Sequence, residues 1–91
     1  MADPYRLPSK LDLPAAASLA ADLQAHLDAD LILDAAGVTQ IGALCVQVIG
    51  SAAISLASAG HRLTIVNMPD RAVEQLSNLG FTPETLAEAA A

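Results

Sequence analysis

The side chains in this sequence that are able to do chemistry are few and far apart. Asp34 closes the apolar run Leu31-Ile32-Leu33, and the end of a strand is where α/β proteins often place a working carboxylate. Its simpler role is to accept the backbone N–H groups of the turn that follows, positioning the loop. Cys45 is the sole thiol and falls on an apolar helical face, which makes it a buried, inert side chain rather than a nucleophile. His26 and His61 fall in different elements, one on a helix surface and one at a strand edge. Asp22 and His26 are spaced as an ordinary surface pair of one helix. Thr39, Asn67 and Asp70 are the other polar groups expected in loops after strands. There is no glycine-rich phosphate cradle, no CxxC and no metal-spaced set of histidines or cysteines. No catalytic residue, metal ligand or cofactor is therefore expected, and the chain reads as a non-enzyme.

Charge narrows the partners. Ten acidic residues against four basic ones give a net charge of −6. Arg6, Lys10, Arg62 and Arg71 form no cluster, which argues against nucleic acid and anionic membrane surfaces. One cysteine cannot form an internal disulfide and fits a reducing compartment. The N-terminal residues lack a basic region followed by an apolar run, so no signal peptide is expected and the cytoplasm is the expected location. Residues 35–60 form a stretch of 26 without a charge, long enough on paper to span a bilayer. Four glycines, three serines and two glutamines dilute it, and no basic cluster flanks it. A buried loop and helix explains the stretch better than membrane insertion.

The elements that must position these residues follow from periodicity. The 91 residues suffice for one domain, read as residues 1–91, and their 20 alanines and 14 leucines call for an aliphatic, closely packed core. Lys10-Leu11-Asp12-Leu13 alternates as a half-buried strand does, with Tyr5-Arg6-Leu7 as its hairpin partner. Leu19, Leu23 and Leu27 mark an amphipathic helix over residues 15–28, with Pro14 ahead of its first turn. Residues 31–33 read as a central strand covered on both faces. A loop over residues 35–40 leads to a second helix over residues 42–59, stopped by Gly60. Residues 62–66 read as a strand. Asn67-Met68-Pro69-Asp70 and Thr82-Pro83-Glu84-Thr85 each carry helix-start chemistry. Strands alternating with helices imply an α/β fold with crossover connections. The expected architecture is a small, mostly parallel sheet, made mixed by its opening hairpin, with three to four helices.

The segment from Asp34 to Gln47, Asp-Ala-Ala-Gly-Val-Thr-Gln-Ile-Gly-Ala-Leu-Cys-Val-Gln, resembles the STAS domain of bacterial anti-anti-sigma factors. There a strand ends in Asp-Leu-Ser, and eight residues past that Asp comes Asp-Ser-Ser-Gly at a helix start. The resemblance covers residues 11–81 and rests mainly on element order. The tetrad falls on Gly42, Ala43, Leu44 and Cys45 here. The serine that a partner kinase phosphorylates in that family corresponds to Leu44, and the second hydroxyl position is Ala43. Neither accepts phosphate, so the resemblance implies a module that does not switch by phosphorylation at that slot. The run Gly-Ala-Leu-Cys-Val-Gln-Val from Gly42 is similar to small single-domain STAS proteins of alphaproteobacterial chemotaxis gene clusters. That likeness implies a bacterial accessory of a chemotaxis signalling complex, contacting a histidine kinase or another signalling protein. Two alternatives remain within the family: a regulatory subunit of an ABC-type lipid transporter ATPase, or an anti-anti-sigma factor not controlled at the usual serine.

The second helix carries the expected partner surface. On a wheel of about 100° per residue, Ile41, Leu44, Cys45, Val48, Ile49, Ala52 and Leu56 share one face, expected to cover the sheet. The opposite side carries Ala43, Val46, Gly50, Ile54 and Ala57, edged by Gln47, Ser51 and Ser58. Ala43, Gly50 and Ala57 form a seam of small residues, which admits a close backbone. The competing expectation is that the protein's own C-terminal helix covers this side. The residues expected at a partner are Val38, Thr39, Gln40, Gly42, Ala43, Val46, Gln47 and Gly50. A homodimer through the same helix is a further expectation.

Overall fold

The computed structural model describes residues 4–88. Every strand pairing in it is parallel. Strand β1 (Tyr5–Arg6) pairs with β3 (Leu31–Asp34), which pairs in turn with β5 (Leu63–Val66), giving the order β1-β3-β5. Strand β2 (Lys10–Leu11) pairs separately with β4 (Gln40–Ile41). Helices α1 (Leu13–Gln24), α2 (Ala43–Ser58), α3 (Asp70–Asn78) and α4 (Pro83–Ala87) complete the α/β fold.

The expected opening hairpin does not form. Leu7 is buried, and its N–H extends the β1–β3 ladder by donating to the Asp34 carbonyl at 3.0 Å. Pro8 has no N–H to continue that ladder. The chain therefore leaves one sheet after Leu7 and enters the other at Lys10. The sheets are parallel rather than mixed. β4, expected as loop, exists because β2 offers it a partner: Ser9 and Leu11 present carbonyls to Gln40 and Gly42.

Helix starts follow local chemistry more closely than the expectations did. Asp12, read as a strand residue, is the N-cap of α1, and its side chain accepts from the Ala15 N–H at 3.3 Å. Leu13 consequently lies in the first helical turn and is 72% exposed. Thr82 and Thr85 form a capping box ahead of α4, with Pro83 in its first turn. Gly60 and Gly80 end α2 and α3 with φ of +82° and +91°. Their followers His61 and Phe81 donate back to Leu56 and Leu76, the pairing that closes a helix through a left-handed residue.

The core is aliphatic, and no polar or charged residue is buried among the described residues. Leu11, Leu19, Leu33, Ile49, Leu56 and Leu76 are its largest sealed members. Each fully buried leucine or isoleucine contributes roughly 1.5–3 kcal/mol relative to exposure. The face that α2 buries differs from the expected one. Cys45, Val46, Ile49, Ala52, Ala53 and Leu56 are buried, whereas Leu44 is 42% exposed and Val48 only partly covered. The rotation arises because α1 packs against one flank of α2 and α4 against the other, in addition to β5 beneath. No helix among the described residues is long and apolar enough to cross a membrane.

Candidate functional site

The segment from Asp34 to the start of α2 is held by hydrogen bonds to Ser9, Asp12, Asn67 and Gln75, all distant in sequence. The Asp34 carboxylate Oδ1 accepts the Ala36 N–H at 3.0 Å and the Asn67 Nδ2 at 3.4 Å. These bonds, with Arg6 nearby, hold its carboxyl below the ordinary carboxylate range. Asn67 reaches it from a left-handed backbone, φ 62°. Val38 then donates to the Ala35 carbonyl at 3.0 Å, closing the turn. Its side chain is only 1% exposed. The expectation that Val38 meets a partner is corrected here, because its side chain is spent anchoring the loop in the core.

Thr39 and Gln40 stay exposed. The Thr39 N–H and hydroxyl both donate to the Ser9 carbonyl, at 2.7 and 3.1 Å. On the far side of β4, Gln75 of α3 supplies what a further strand would. Its Oε1 accepts the Ile41 N–H at 2.9 Å, and its Nε2 donates to the Thr39 carbonyl at 3.4 Å. Gln75 was absent from the expected site. A polar residue beside an apolar helical stripe looks like surface in sequence, and no local pattern aims it at a loop 34 residues away.

Gly42 is the N-cap of α2 and, having no side chain, leaves the helix without a side-chain cap. Ala43 and Leu44 lie exposed in the first turn. The start of α2 is tied to the start of α1: the Cys45 thiol donates to the Asp12 carbonyl at 3.3 Å. Burial and the nearby Asp12 charge push the Cys45 thiol above its ordinary range, away from the reactive thiolate.

Two clefts flank the first half of α2. One, about 290 Å³, lies toward α1 and is bordered by Leu23, Leu27, Leu44, Gln47 and Ser51. The other, about 550 Å³, lies between α2 and the segment joining α3 to α4, with Ala43, Gln47, Gly50, Ile54, Leu79 and Phe81 around it and Val46 at its base. Val46, expected on the outer face, is buried there and offers little side-chain surface. Ile54 and Leu79, which sequence reasoning did not join, are exposed at 49% and 38%. The lining carries no charge. Helix α4 packs on α2 along its length, lending Leu86 to this cleft and lying across a further cleft from Ala53 and Ala57. Along the seam of small residues Ala43 and Ala57 are exposed and Gly50 is half-buried, with Gln47 exposed beside them.

His26 stacks at a tilt on Tyr5, ring centroids 5.8 Å apart, and His61 Nδ1 lies 3.6 Å from Asp30 Oδ1. The two histidines serve separate surface contacts. Among the described residues no group of three His, Cys, Asp or Glu is arranged to hold a metal ion.

A family model described as "Mlab, STAS domain" matches residues 5–83. No curated protein and no solved structure gives a significant match.

Proposed function

The chain belongs to the STAS-domain family, and from that premise we propose a non-enzymatic, cytoplasmic module that docks a protein partner with Thr39, Gln40 and the first two turns of α2. STAS domains are regulatory modules that mediate protein–protein interactions. The observation that carries the reading is the uncharged cleft beside Ala43, Gln47 and Gly50, next to a loop pinned on both sides by Ser9 and Gln75. A charge-free apolar surface loses little on desolvation, and a rigid loop loses little entropy on binding.

The partner we favour is a component of a bacterial chemotaxis signalling complex, its histidine kinase first. This rests on the Gly-Ala-Leu-Cys-Val-Gln-Val string, which occupies the first turns of α2. Gly42, Ala43 and Leu44 offer no hydroxyl at the helix start, so binding is constitutive at this slot rather than switched by phosphate charge.

The test is affinity capture from the native cell with the natural chain and with Gly50→Arg, whose side chain fills the cleft. Recovery of chemotaxis kinase components by the natural chain, and their loss with the folded variant, supports the proposal. Recovery of an ABC ATPase with its permease overturns the chemotaxis assignment in favour of a transporter regulator. A phosphate added to Thr39 by a cognate kinase, read by intact mass, overturns the unswitched reading.

A further inference from the structure

Helices α1 and α2 run side by side in the same direction. Each begins two residues after one strand of the parallel pair β2 and β4. The Cys45 thiol on the Asp12 carbonyl joins their starts, and Leu27 and Ser55 border the same cleft at the other end. Ala20 and Gln24 of α1 border that cleft, and at about 100° per residue Leu13 and Ala17 continue their stripe toward the helix start. The facing stripe of α2 is Leu44, Val48, Ser51 and Ser55. Both stripes recur at intervals of four, three and four residues, the spacing at which one helix packs on another. No residue lining the cleft is charged, and Leu13 and Leu44 are exposed at its open end. From Leu13 to Gln24 the α1 stripe is roughly 16 Å long at 1.5 Å per residue.

The groove is electrically polar along its axis. Because the two helices are parallel, both positive dipole ends lie beside Leu13 and Leu44, and both negative ends lie beyond Gln24 and Ser58. The positive end of α1 is offset by its Asp12 cap. The negative ends are not offset, since neither helix has a basic residue in its last turn. Exposed Asp28, next to Leu27, adds a full negative charge there. Asp30 is engaged with the Arg62 N–H and His61, and Arg62 and His61 border the cleft on the α4 side of α2 rather than this one. The groove is thus uncharged along its length and negative at one end.

We propose that this groove seats an amphipathic helix of the protein partner, antiparallel to α1 and α2, with Lys or Arg in its first turn beside Asp28. The inference rests on the docking reading above, since Leu44 and Gln47 lie in the same first two turns of α2. Antiparallel docking sets the positive N-terminus of the incoming helix against two negative ends, whereas parallel docking sets like ends together. Its apolar residues at four-three spacing fill the groove beside Leu13, Leu27, Leu44 and Val48, and no charge lining the groove is desolvated. A second copy of the chain offers no such helix. Its α3 and α4 have nine and five residues, too short for the groove, and its α1 and α2 contain no Lys or Arg to meet Asp28.

The probes are two fluorescent synthetic helices of about 16 residues, each with Leu at four-three spacing and with paired Lys residues in either the first turn or the last. Anisotropy titration with the full chain should show the first-turn peptide binding at least about tenfold tighter than the other. Asp28→Lys should reverse that order. Leu13→Asp, at an exposed first-turn position, should weaken the preferred peptide at least about tenfold with unchanged circular dichroism. A spin label on the N-terminus of the peptide should broaden the amide signals around Asp28. Binding of neither peptide, equal binding of both, or broadening around Leu13 overturns the proposal. Its failure is separable from failure of the docking reading: a chemotaxis partner captured by the Leu13→Asp protein but lost with Gly50→Arg overturns the groove alone.

Discussion

The Gln75 carboxamide pairs with the backbone of Ile41 and Thr39 as a neighbouring strand would, accepting from one at 2.9 Å and donating to the other at 3.4 Å. It caps the outer edge of β4, whose inner edge is held by β2. The loop in the position of the family's signature is thus fixed from two sides, one of them a single side chain of α3. A pinned edge is also unavailable for pairing with another strand, which keeps the loop presented rather than sequestered.

Replacing Gln75 by Leu leaves the part-buried Ile41 N–H without its acceptor. The expected cost is about 1–2 kcal/mol in denaturant unfolding, with faster exchange of the Ile41 amide proton. Gln75→Glu keeps the acceptor and loses the donor, so Ile41 protection survives at neutral pH. Equal exchange rates in the natural chain and the Leu variant would remove Gln75 from its positioning role.

Gly42→Asp adds the side-chain cap that α2 lacks. The backbone there is extended, φ −113°, and an added Cβ meets the Leu11 carbonyl only at 3.6 Å, an ordinary contact. A stabilisation of about 0.5–1 kcal/mol follows from the cap, the helix dipole and a less flexible unfolded chain. A loss of stability in chemical denaturation would show that the glycine is needed for close approach.

Tyr5 is the sole tyrosine, so phenolate absorbance reads it directly. Burial, and then its 2.6 Å hydrogen bond to Asp22, push its pKa up to about 12. A raised pKa means the folded state holds the proton more tightly. The associated stability is complete below the unfolded tyrosine value of about 10 and is lost as pH rises through about 12. Asp22→Asn should move the midpoint down without reaching the free value, because burial is the larger cause.

Asp34 titrates in the opposite sense. Its carboxyl is held low by the Ala36 N–H first, and by Asn67 and Arg6. Its contribution is therefore present above the unfolded carboxylate pKa and fades as pH falls through the lower folded value. Asp34→Asn should flatten the acid limb of the stability curve, read as unfolding free energy against pH.

Cys45 is sealed and its thiol is engaged with the Asp12 carbonyl. Native protein should resist thiol reagents and become labelled at the rate of opening or unfolding. Cys45→Ala should cost about 1–2 kcal/mol through the cavity and the lost bond joining the starts of α1 and α2. Rapid stoichiometric labelling of the folded chain would contradict the buried geometry.

The sequence by itself determined the α/β class, the crossover order and most helix limits, because each rests on information within a few residues. Gly60 and Gly80 stop helices where a left-handed residue is needed, and Thr82-Pro83-Glu84-Thr85 starts one by its own hydrogen bonds. The bond from the Ala36 N–H to the Asp34 carboxylate is equally local, spanning only two residues. Strand partners were another matter. Tyr5-Arg6-Leu7 and Lys10-Leu11 are near in sequence and look like a hairpin, yet each pairs with a strand about 30 residues away. Which face of α2 is open was likewise decided outside α2. Its residues are apolar nearly all round, so periodicity gave no strong direction, and the flanks taken by α1 and α4 buried Val46 and released Leu44. Gln75 holding Ile41, and Val38 sinking into the core, belong to the same class: they depend on which groups remain unsatisfied once distant segments meet, and a linear pattern does not carry that.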